Sequence, residues 1–109
     1  MITYDDFKKL EIKIGKIVSA EKIEESEKLV KLMVDLGEET GPRQIVAGIA
    51  LAYPDAGELV GKEIPVLTNL EPKTLMGYES NGMILAGDNE GKPTLLHPAD
   101  EVPPGSVVK

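Results

Sequence analysis

Between Asn69 and Met83 the chain gathers Asn69, Lys73, Tyr78, Ser80 and Asn81, with Met76 and Met83 among them. A hydroxyl and an amide such as Ser80 and Asn81 exchange hydrogen bonds with base edges and sugars, and an ammonium such as Lys73 meets a phosphate. A thioether packs against the π-face of an exposed base. The ordinary alternative is a turn-rich connection in which Met76 and Met83 fill the core. A second candidate is Lys28, with Lys31 three residues on. In a regular strand these two have opposite parity and point to opposite faces, so only one belongs to any binding surface. Catalytic chemistry has little to stand on. His97 is the only histidine and cysteine is absent, which excludes paired-imidazole sites, thiolate ligands and disulfides. Neither a G-x-S-x-G elbow, a phosphate loop nor an EF-hand pattern occurs. The acids Glu24, Glu25 and Glu27, or Glu38 and Glu39, read as solvated clusters. The expectation is a chain that is no enzyme and carries no metal or cofactor.

Charge points the other way from phosphate binding. Twelve Lys and Arg against nineteen Asp and Glu give a net charge of −7, whereas non-specific nucleic-acid affinity comes mostly from cations. The basic residues are concentrated early: residues 1–31 hold seven lysines and seven acids. Any anion-binding face is therefore a small patch. No apolar run approaches the ~18 residues of a membrane span, and the N-terminus has neither the basic start nor the apolar stretch of a signal peptide. With 109 residues the chain makes one domain, expected to be soluble and cytoplasmic.

The elements that must position these residues are short. Thr3 and Asp6 have the spacing of a helix start, and Tyr4, Phe7 and Leu10 give a short helix one apolar stripe. Glu11–Ala20 then alternates through Ile12, Ile14, Val18 and Ala20, with Gly15 reading as a bulge or bend. Lys28–Leu36 alternates again, the stretch GEETGPRQ reads as a hairpin connection, and Gln44–Ala47 is a third strand. Residues 49–61 hold at most a turn or two of helix. Glu63–Leu70 alternates, with Pro65 suggesting an edge. Met83–Ala86 and Pro93–His97 supply further strands. Short strands at this spacing predict an all-β barrel or sandwich.

Read in order, DFKKLEIKIGKIVSAEKIEESEKLVKLMVDLG, RQIVAGIA, ELVGK, NLEPKTLMGYESNGMILAG and EVPPGS resemble one family from Asp6 to Lys109. It is the tRNA-binding domain found free-standing, at the C-terminus of methionyl-tRNA synthetase, and in the endothelial monocyte-activating polypeptide relatives. The most specific piece is N-L-x-P-x-x-x-x-G-x-x-S-x-G-M, here Asn69, Leu70, Pro72, Gly77, Ser80, Gly82 and Met83. The resemblance implies an OB-fold, a five-stranded Greek-key barrel over about residues 11–86. A short helix precedes it and an extension follows over about 87–109. It also implies a homodimer that binds the outer corner of tRNA by shape, without DNA or membrane as partner, and a synthetase as a second partner. Lys28, Ser80 and Met83 match family residues in tRNA contact, and Arg43, Lys73 and Asn81 are added by position. Lysine and arginine are assigned to phosphates, Ser80 and Asn81 to hydrogen bonds, and Met83 to apolar contact. The initiating methionine and full-length match lead to the expectation of a separate beta subunit. Glu71, Thr74 and Met76 stand where relatives are more basic, which predicts weaker tRNA binding. The rival reading is an acidic, chaperone-like or protein-interaction dimer that scaffolds a synthetase without RNA.

Overall fold

The computed structural model describes residues 1–109. Its first element is a single helical turn, α1 (Tyr4–Phe7). The Thr3 hydroxyl accepts from the Asp6 N–H at 3.2 Å and the Asp6 carboxylate accepts from the Thr3 N–H at 3.1 Å, a reciprocal capping box. The stripe through Leu10 predicted a longer helix. It stops because the Asn69 side chain takes hold of the following backbone, donating to the Lys9 carbonyl at 2.7 Å and accepting from the Glu11 N–H at 2.9 Å.

The long strand β1 (Ile12–Lys22) is the spine of the barrel. It pairs antiparallel with β2 (Val30–Asp35) through its second half and with β4 (Glu63–Leu67) through its first half. β3 (Arg43–Ala47) lies on the far side of β2, and the short β7 (Met83–Ile84) beyond β4, giving the order β3-β2-β1-β4-β7. One strand serves two neighbours because its register breaks between Ile17 and Ser19, the local bend that a bulge supplies. The predicted site of that bend, Gly15, has a different task. A Cβ there would fall 2.4 Å from Val34 Cγ1 and 2.9 Å from Leu36 Cδ2, so glycine permits β1 and β2 to close onto each other.

Inside, Ile17, Val30, Leu32, Val34, Ile45, Leu59, Ile64 and Val66 are wholly buried. The alternation through β2 places Val30, Leu32 and Val34 inward and Lys31, Met33 and Asp35 outward, as the period of two requires. A 3-10 turn (Ala56–Leu59) plugs the barrel with Ala56 and Leu59. Pro65 does not mark an edge, since β4 runs between β1 and β7. Ile14, opposite it, directs its N–H to Ser106 and its carbonyl to Gly105. The Ile14–Pro65 pair therefore exchanges no ladder bond; the proline nitrogen faces the β7 side, where its carbonyl accepts from Leu85 and the pairing stops at Val66–Ile84.

Three further pieces dress this barrel. A hairpin of β5 (Lys73–Leu75) and β6 (Tyr78–Ser80) turns through Met76 and Gly77, at φ 50° and 83°. A second hairpin, β8 (Ala86–Asn89) and β9 (Lys92–Leu95), contributes Leu95 to the core. The tail returns as β10 (Val107–Val108) against the start of β1. His97 Nδ1 lies 2.7 Å from the Glu63 carbonyl, which can only accept, and the Val102 N–H donates to Glu63 Oε1 at 2.9 Å. The tail is thereby fastened to β4.

Candidate nucleic-acid interface

Between β3 and β7 the barrel lacks a continuous ladder, and the segment Asn69–Met83 completes the wall. The Ser80 hydroxyl accepts from the Val46 N–H at 3.0 Å and donates to the Gly82 carbonyl at 3.1 Å. The Asn81 N–H donates to the Gln44 carbonyl at 2.8 Å, and Gln44 Nε2 donates to the Glu79 carbonyl at 2.9 Å. Gly82, at φ 133°, has Leu67 O, Val66 and Ile45 within 3.4 Å of where a Cβ would be. Glycine there lets the segment lie flat on the barrel. Ser80, expected from the resemblance as a ligand contact, ties the segment to β3 in this structure. Its side chain is buried and its hydroxyl is engaged in both directions inside the protein.

Arg43, expected on a phosphate, is half-buried and mostly engaged within the protein. Its guanidinium grips Glu38 through two bonds of 2.8 Å and also donates to the Thr68 and Asn81 carbonyls. This is a bidentate clamp. The Arg43 hydrogen bonds hold the Glu38 carboxyl below the usual carboxylate range, and Glu38 in turn raises the Arg43 pKa. Arg43 and Asn81 line a concavity with Met33, Thr40 and Pro72, away from the other candidates. The Asn81 side chain makes no hydrogen bond within the protein, whereas Arg43 spends four of its five N–H groups there.

Lys73, Ser80 and Met83 come together on the opposite flank. They line a cavity of about 350 Å³ between the β5–β6 hairpin, β3, β7 and the β8–β9 hairpin, with Leu70, Leu75, Ala86 and Pro93. Met83 is 45% exposed, so its side chain faces the cleft and is not core filling. Lys28 stands across an adjoining hollow that shares Gly48 and Pro93 and also contains Lys92. The strand predicted from Lys28 begins at Val30. Lys28 itself sits in a turn where the Ser26 hydroxyl accepts from the Lys28 and Leu29 N–H groups, both at 3.2 Å, and the Lys28 carbonyl accepts from Ala50. Its backbone is pinned while its side chain is exposed.

The cations thus divide. Lys31 is 3.7 Å from Glu21 and 5.5 Å from the Tyr78 ring centroid, and Arg43 is held by Glu38. Lys28, Lys73 and Lys92 share with Lys8, Lys13, Lys22, Lys62 and Lys109 the lack of a carboxylate within 4 Å, but they alone among these line the two adjoining hollows. Three free ammonium groups therefore face two adjoining hollows whose only acids are Glu71 and Glu90. Sequence reasoning missed Lys92, Leu70 and Ala86. The turn at Gly87–Gly91 signalled the hairpin that carries Lys92, but its nearness to Lys28 is a tertiary fact. There is no group of three His, Asp or Glu side chains that could hold a metal, and no helix is long and apolar enough to cross a membrane.

A family model described as "Putative tRNA binding domain" matches residues 12–107. A methionine–tRNA ligase of Methanococcoides burtonii is 54% identical over 109 residues, covering 99% of this chain and 16% of the relative. That of Archaeoglobus fulgidus is 51% identical over 107 residues, covering 98% and 16%. The chain thus spans about one sixth of the length of these relatives. Among solved structures, a MetRS-related protein from Pyrococcus horikoshii superimposes with a TM-score of 0.91 at 41% identity, covering 100% of this chain and 98% of that one. The chaperone CsaA of Bacillus anthracis superimposes with a TM-score of 0.88 at 30% identity, covering 100% and 99%.

Proposed function

The chain belongs to the tRNA-binding domain family, and from that premise we propose that it is a non-catalytic, structure-specific tRNA-binding module. The observation that carries the proposal is the placement of Lys28, Lys73 and Lys92, none with a carboxylate partner, around two adjoining hollows beside the exposed Met83 on an acidic protein. Phosphate contacts position such a protein on RNA, and A-form RNA offers backbone and hydroxyls more readily than sequence. Binding at the outer corner of tRNA suits this chemistry. Asn81, with its free amide on the neighbouring flank, is a further contact. Ser80 and Arg43 act by holding the segment in place. The module works as a cytoplasmic homodimer that brings or retains tRNA for a methionyl-tRNA synthetase, in one chain with it or as its beta subunit. A tethered second contact of this kind raises overall affinity by ~10²-fold or more.

The test is a titration of the protein against bulk tRNA at several salt concentrations, with double-stranded DNA as control. The expected result is tRNA binding without DNA binding. Each alanine substitution at Lys28, Lys73 or Lys92 should lower the salt slope by about 0.7–0.9. Absence of tRNA binding at low salt overturns the proposal. A second reading has two observations in its favour: a solved relative is named a chaperone, and the net charge of −7 suits partners other than RNA. In that case polypeptide binds and tRNA does not.

A further inference from the structure

Lysines alone would account for backbone contacts, yet the larger share of the cleft beside them is apolar. Val46, Ile49, Leu70, Leu75, Met83 and Ala86 are among its fourteen lining residues. Two of them, Leu70 and Met83, are each 45% exposed. A duplex backbone has nothing to place against such a surface. An unpaired base has two apolar π-faces and a polar edge, and the thioether of Met83 is a polarizable partner for such a face whatever the base. The volume, about 350 Å³, falls at the small end of ligand pockets, which suits a single planar ring system. The charges bracket it. Lys73 lies on the hairpin at one rim, while Lys28 and Lys92 lie in the hollow reached past Gly48 and Pro93. A strand entering at one rim and leaving at the other meets an ammonium on each side of the apolar floor. Glu71 also lines the cleft, and a carboxylate can accept from an amino or imino N–H on a base edge.

We infer that this cleft receives one unstacked base of the bound tRNA, with its flanking phosphates on Lys73 and on the Lys28–Lys92 pair. The inference rests on the proposal that the chain binds tRNA. It adds that recognition needs a looped-out or terminal nucleotide as well as the shape of the folded molecule.

The test fills the cleft without touching its charges. Ala86 is exposed on β8 and lines the cavity, so Ala86→Ile occupies the floor with aliphatic bulk, offers a base no aromatic face, and costs folding little. Met83→Ala, on β7, removes a stacking partner and adds no bulk. Both are compared with wild type for binding of bulk tRNA, of a single-stranded adenosine dodecamer and of a blunt RNA duplex, across salt. The expected result is a loss of about two- to tenfold in tRNA and dodecamer affinity for each variant. The salt slope and the duplex affinity should not change. Unchanged tRNA affinity in both variants overturns the inference and leaves the tRNA-binding proposal standing. Wild type that binds no tRNA overturns that proposal and this inference together. Displacement of tRNA from the wild type by an uncharged apolar peptide, with no displacement by the dodecamer, assigns the cleft to polypeptide and overturns the inference. Circular dichroism of both variants separates a lost contact from a lost fold, and the smaller substitution remains informative if the larger one unfolds.

Discussion

Replacing Ser80 with alanine separates two roles that a sequence motif leaves fused. The hydroxyl is buried, accepts from the Val46 N–H at 3.0 Å and donates to the Gly82 carbonyl at 3.1 Å. In the alanine variant the Val46 N–H faces a methyl group inside the protein. A buried donor left without a partner costs about 1–3 kcal/mol. The Gly82 carbonyl loses its donor as well, which places the loss near about 2–3 kcal/mol. For a domain of this size that corresponds to a fall in Tm of roughly 10 °C. Urea unfolding followed by circular dichroism should show a lower midpoint with an unchanged slope. Binding of tRNA, measured well below the new Tm, should weaken because Asn81 and Met83 lose their anchorage. Lys73→Ala is the control, with weaker binding and unchanged stability. A Ser80→Ala protein as stable as wild type within about 0.5 kcal/mol but unable to bind tRNA would refute the reasoning, because the hydroxyl would then belong to the ligand.

Three other perturbations probe the frame. Gly15→Ala drives a methyl group to within 2.4 Å of Val34 Cγ1, and overpacking of this kind should cost about 1–3 kcal/mol in urea unfolding. Met76→Asn should raise the Tm, because Met76 holds a φ of 50° in a two-residue hairpin turn and asparagine adopts that conformation more readily. Glu38→Gln should destabilise the protein at neutral pH, where the carboxylate is ionised and clamped by Arg43. Since the folded pKa of Glu38 lies below its ordinary value of 4.5, that contribution is present above 4.5 and disappears as pH falls through the folded value. Stability curves of wild type and Glu38→Gln should therefore converge at acid pH. A gap that persists once the carboxylate is protonated would show that the loss at neutral pH is one of packing.

How far the molecule was legible in its residues depends on which link in the chain of causes a residue serves. The alternation through Val30, Leu32 and Val34 announced an inward face because period two is imposed by the strand itself. The capping pair Thr3 and Asp6 was equally local. The errors came where a distant partner decides. Leu10 continued the helical stripe, but Asn69, nearly sixty residues away, captures the backbone first. Pro65 looked like an edge, but β7, almost twenty residues on, pairs along the other side of β4. The same distinction divides the motif. Asn69, Ser80 and Gly82 are its most recognisable residues, and each is spent inside the protein on the N-terminal link or the seam between β3 and β7. Lys73, Met83 and the distant Lys28 and Lys92 keep their side chains outside. The specificity of the motif thus measures the geometry needed to close this barrel. The few residues it presents around that closure determine what the surface can bind, and in this acidic chain those are three unpaired lysines and an apolar cleft.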